Sequence, residues 1–148
     1  MRVYDITQKN VSLTAAVQTV IEFTAATNQT VVVLRAWISQ SGSTTSAQQN
    51  VNLIRKTAAG TNATAPNANP VDASDTAFAG TVRGLCTTEG TLGVDLIADS
   101  FNWVNGWIWL PVPEERIYVK GGAILGLRLP TAPPALTCNA GITVGELG

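Results

Sequence analysis

Residues 30–41 read TVVVLRAWISQS, the longest β-like run in the chain. Its even positions, Val32, Leu34, Ala36 and Ile38, are all apolar, while the odd ones mix Val31, Val33, Arg35 and Trp37. Alternation of period two, rich in β-branched residues, is the pattern of a strand that buries one face. The neighbouring stretches repeat it. VSLTAAV (11–17) sets Val11, Leu13, Ala15 and Val17 on one side, and TVIEFTA (19–25) opposes Ile21 and Phe23 to Val20, Glu22 and Thr24. NVNLIRKT (50–57) gives a shorter strand. AILGLRL (123–129) turns Ala123, Leu125, Leu127 and Leu129 inward against Gly126 and Arg128, and GITVGEL (141–147) closes the chain.

No amphipathic helix with start and stop signals stands out, and VDASDTAFAG (71–80) offers at most one helical turn from Asp72 or Ser74. Many short strands between turn residues predict an all-β fold: a single-domain antiparallel β-sandwich, jelly-roll-like, of about eight strands. The domain spans 1–148, with 1–29 as an extra strand pair or an arm. Residues 57–82, rich in Ala, Asn, Thr, Pro and Gly, form a long loop of the kind that is functional or mobile. PTAPPAL (130–136) is a second connection, too proline-dense for ladder hydrogen bonds.

Composition narrows the function. The 148 residues suffice for one core, but only 13% are charged, about half the usual share. Thr, Ser, Asn and Gln make up the polar balance, a surface with little self-repulsion that suits a protein covered by neighbours. Nine Lys+Arg against ten Asp+Glu, without basic runs, speak against a nucleic-acid partner. No apolar stretch is long enough to span a membrane as a helix. The opening MRVYDITQKN lacks the apolar core of a secretory signal, so the sequons at Asn10, Asn28 and Asn62 carry no weight and cytoplasmic synthesis is expected. Cys86 and Cys138 then read as small buried hydrophobes rather than a disulfide.

The chain contains no histidine, which removes His-based triads and histidine metal sites. GGAILG (121–126) fits no phosphate-binding loop and opens a strand. Glu114 and Glu115 are adjacent and point opposite ways on an extended chain, while Asp95 and Asp99 fall in a turn-rich GVDLIADS (93–100). Arg35 and Arg128, in mid-strand, are expected to snorkel or pair with carboxylates. No catalytic residue, metal or cofactor is expected, and a small-molecule ligand is disfavoured.

One segment stands apart. FNWVNGWIWLP (101–111) holds three of the four tryptophans. Asn105-Gly106 between apolar runs predicts a two-residue type I′ hairpin. Phe101, Trp103, Ile108 and Leu110 would share one face, and Asn102, Val104, Trp107 and Trp109 the other. A sandwich needs one apolar face per sheet, so the second requires cover from a loop, a subunit or a ligand. The candidate protein interface is Trp103, Val104, Trp107 and Trp109; a core role or a carbohydrate platform on the same tryptophans are the alternatives.

The order of features also carries a resemblance. VVVLRAWISQSG (31–42) leads to VNLIRKTAAGT (51–61) and the loop NATAPNANPVDASDTAFAGT (62–81). TTEGT (87–91), the tryptophan segment, PVPEERIYVKGGAILGLRL (111–129) and ITVGELG (142–148) follow. Over residues 30–148 this ordering resembles the small β-sandwich virion proteins of tailed bacteriophages, of the head decoration or cement type. The resemblance implies a jelly-roll-like fold and a symmetric homo-oligomer, often a trimer. It also implies binding to the major capsid protein on the outside of the head, stabilising the shell. It supplies no catalytic residues. Other virion roles (a tail or fibre module) and a carbohydrate-binding sandwich remain open on the sequence.

Overall fold

The computed structural model describes residues 1–42 and 44–148. Two antiparallel sheets pack face to face. The first runs β5 (Asn67–Pro70), β1 (Arg2–Ser12), β11 (Thr137–Leu147), β3 (Thr30–Gln40), β8 (Trp107–Trp109), with the short β9 (Tyr118–Val119) also on β3. The second runs β6 (Thr81–Gly84), β2 (Gln18–Thr24), β10 (Ile124–Leu129), β4 (Gln48–Lys56), β7 (Leu92–Asn102). No α-helix occurs among the described residues.

The pairing has a simple logic. β1 pairs with β11, β2 with β10, β3 with β8 and β4 with β7, so strands from the two halves of the chain meet in mirror order. A long hairpin rolled into two sheets gives this order, which is that of a jelly roll. The short β5, β6 and β9 are additions at its margins.

The core lies between the sheets. Tyr4, Ile6, Val31, Val33, Ile38, Ala140, Ile142 and Val144 of the first sheet meet Ile21, Phe23, Val51, Leu53, Leu125, Leu127 and Leu129 of the second, all almost fully buried. Leu125, Leu127 and Leu129 point inward as their alternation predicts.

Strand β3 departs from the expected even face. Its register with β11 slips between Thr143 and Val144, which pair with Arg35 and Val33 and leave Leu34 as the extra residue. Such a bulge exchanges the faces of a strand. The core therefore takes Val31 and Val33 before the bulge and Ala36 and Ile38 after it.

The N-terminal segment holds two strands, but they do not pair with each other. β1 joins one sheet and β2 the other. The predicted alternation of 11–17 ends early: Val11 and Leu13 are buried, whereas Ala15 and Val17 are exposed on the connection between sheets. GVDLIADS is also no turn, because it lies within the 11-residue β7.

The long loop is tied down. β5 and the start of β6 fall inside 57–82. Asp72 caps a tight turn, not a helix, accepting from the Ser74 N–H and hydroxyl at 2.9 and 2.7 Å. These bonds hold its carboxyl below the usual range. Phe78 stacks edge-on against Tyr4 and Phe23, with centroids 5.3 and 6.3 Å apart. Buried Glu146 accepts the Ala79 N–H at 2.8 Å and pairs with Arg2 at 3.4 Å.

Candidate functional site

The tryptophan segment is an arch between the sheets, not a hairpin. β7 ends in one sheet at Asn102 and β8 begins in the other at Trp107. The Asn105 and Gly106 N–H groups both donate to the Asn102 carbonyl, at 3.0 and 3.1 Å, and the Asn102 side chain accepts from Val104 N–H at 3.0 Å. Gly106 alone of the turn pair has positive φ, +68°. A type I′ turn requires it at Asn105 as well.

This geometry overturns the predicted division of faces. Phe101, Trp103 and Trp107 point between the sheets and join the core, with Trp103 at 0% and Trp107 at 8% exposure. Trp103 packs edge-on against Phe101 at 4.9 Å. Two of the four candidate interface residues, Trp103 and Trp107, are thus covered by their own chain, and the three tryptophans present no common platform. Trp109 is half-buried against the core. Trp37 lies on the outer face of β3, its ring over Gly141, where a Cβ would stand 2.5 Å from Nε1.

What the arch does expose is aliphatic. Val104 (58%), Ile108 (62%), Leu110 (70%) and Val112 (55%) all stand in water along one short stretch at the free edge of the first sheet. Ile108 pairs across β3 with Trp37. Of the predicted interface set, Val104 belongs to this rim, whereas Trp109 pairs with Ala36 and faces the core. Ile108 and Leu110 lie opposite Trp107 and Trp109 as the alternation predicts, but they do not share a face with Phe101 and Trp103, which are buried in the core.

A second site lies under the long loop, on the outer face of the other sheet. The ammonium of Lys56, fully buried, donates to Thr19 Oγ1 at 2.7 Å and Glu89 Oε2 at 2.9 Å, and meets Glu22 Oε2 at 2.9 Å. Arg83 pairs with Glu22 Oε1 at 3.3 Å and Arg128 with Glu89 Oε2 at 3.6 Å. Arg128 thus pairs with a carboxylate as its mid-strand position predicts, and Arg35 does so with Asp5 at 3.8 Å. The sequence pattern hides this cluster, because Glu22 and Lys56 occupy alternate, nominally solvent-facing positions. The only signal was the long loop, which needed something to cover.

Cys86 and Cys138 are free and buried, and burial pushes their thiols up to about 11 and about 12. Neither is poised as a nucleophile. Among the described residues no group of His, Cys, Asp or Glu is arranged to hold a metal ion. Glu114 and Glu115 sit in an exposed single 3-10 turn. Comparison with protein-family models, with curated proteins and with solved structures finds no match.

Proposed function

We propose that this chain is a structural virion subunit, a decoration protein that binds the outside of a phage head as a symmetric homo-oligomer and stabilises the shell. Fold alone assigns no function, since jelly rolls serve capsids, lectins and enzymes alike. The observation that carries the reading is the rim of Val104, Ile108, Leu110 and Val112, each more than half exposed at a free sheet edge. Aliphatic side chains grouped in this way mark a surface that another protein covers. The low charge density of the chain supports the same reading.

The mechanism is associative. The rim joins copies of the chain, and several copies in one symmetric oligomer multiply modest contacts with the head into firm attachment. A carbohydrate platform loses its support, because Trp103 and Trp107 are not available to stack on a sugar. The test is co-sedimentation of the purified protein with phage heads that lack it. Saturable binding, abolished by Ile108→Asp with Leu110→Asp, is expected. Heads that remain bare at high protein concentration would overturn the capsid assignment.

A further inference from the structure

We propose that Lys56 and Glu22 form an intramolecular amide cross-link between β4 and β2, made by condensation of their buried ion pair. This inference rests on the cluster under the loop alone and is independent of the capsid reading. β4 and β2 flank β10, and both Glu22 and Ile54 pair with Gly126 at its centre. Lys56 crosses over Gly126, where a Cβ would lie in ordinary contact with Lys56 Cε, at 3.5 Å, and press on Thr19 Cγ2 at 3.1 Å. Its Nζ reaches Glu22 Oε2 at 2.9 Å, with both side chains at 0% exposure.

The surroundings supply what amide formation needs. The Glu22 carboxyl is held by donors: Gly60 N–H stands 3.1 Å from Oε1 and 3.3 Å from Oε2, and Arg83 Nη1 stands 3.3 Å from Oε1. Donors gathered on Oε1 stabilise the oxyanion formed there when nitrogen adds to the carboxyl carbon. Holding amine and carboxyl in contact replaces the bimolecular encounter that makes such reactions slow in water. On the other side of Nζ, Glu89 Oε2 accepts from Lys56 and from the Thr19 hydroxyl, both at 2.9 Å, so a second carboxylate is in place to relay protons. Glu89 Oε1 is buried with no hydrogen-bond partner, leaving it free to take a proton in transit.

The step balances without a co-reactant. The lysine nitrogen loses two protons and bonds to Cδ of Glu22. The Cδ–Oε2 bond breaks, and Oε2 departs with those two protons as water. An ammonium and a carboxylate become one amide and one water molecule, with no change of oxidation state. Arg83 and Gly60 are positioning groups, Glu89 is the proton relay, and Lys56 and Glu22 are the reacting residues.

Intact-mass spectrometry of the purified chain decides it. The cross-linked protein is lighter than its sequence by one water, about 18 Da. Trypsin leaves it uncut after Lys56, and the peptide carrying Lys56 remains joined to the one carrying Glu22. Glu89→Gln, folded by circular dichroism, is expected to keep the full sequence mass. Wild-type protein at the full sequence mass after prolonged incubation overturns the proposal. So does a loss of water that maps to any other pair of residues.

Discussion

Trp107 donates its indole N–H to Asp99 Oδ2 at 2.9 Å, a bond from β8 of one sheet to β7 of the other across the mouth of the arch. The bond, followed by the Ser100 N–H, holds the Asp99 carboxyl below the usual aspartate range. The folded value lies below the unfolded one, so the stabilisation is complete above the ordinary aspartate range, about 4, and is lost as pH falls through the lower folded value. Asp99→Asn is therefore expected to lower the melting temperature at neutral pH, and the gap to wild type should close in acid. Thermal melts across a pH series check this. A gap that is constant, or that widens in acid, would show that the bond contributes through shape and not charge.

Trp103 tests the arch itself. It is fully buried between the sheets, so truncation leaves a large void as well as removing apolar area from the core. Trp103→Ala should cost about 3–5 kcal/mol of folding stability, read by urea denaturation. A loss below about 1 kcal/mol would mean that the ring is not a core residue.

The contrast between residues 30–41 and 101–111 explains how much was legible. The alternation of β3 named a strand, and similar patterns in β2, β4, β10 and β11 named the sandwich. The inward leucines of β10 were read correctly because a regular strand keeps its period. The sequence pattern failed where a strand bends or changes sheet. The β3 bulge at Leu34 moved the core face by one residue. At Asn105-Gly106 local turn preference pointed to a hairpin, whereas the crossing between sheets left only Gly106 at positive φ. β7 went unseen because it is an edge strand with Asp and Ser exposed and two irregularities against β4, which blur its alternation. The rim was partly visible, through Val104, but Ile108 and Leu110 were grouped with Phe101 and Trp103 by a pairing that does not form. The buried ion cluster was invisible, since its members come together only through strand order and a covering loop.

Both cysteines make a simple check on the core. Their thiols are buried and pushed up to about 11 and about 12. Native protein at mildly alkaline pH should react with a thiol reagent at neither position within minutes, and denatured protein at both. Rapid labelling of Cys86 in the native state would show that the loop over it opens readily.

The most direct measurement is sedimentation velocity of the wild-type chain beside the Ile108→Asp, Leu110→Asp double variant, with a thermal melt of each. Both residues are exposed, so their replacement should leave the melting temperature within a few degrees of wild type. The account predicts a discrete oligomer for the wild type and a folded monomer for the variant. A wild type that stays monomeric at every concentration, or a variant that keeps the oligomer, would contradict it.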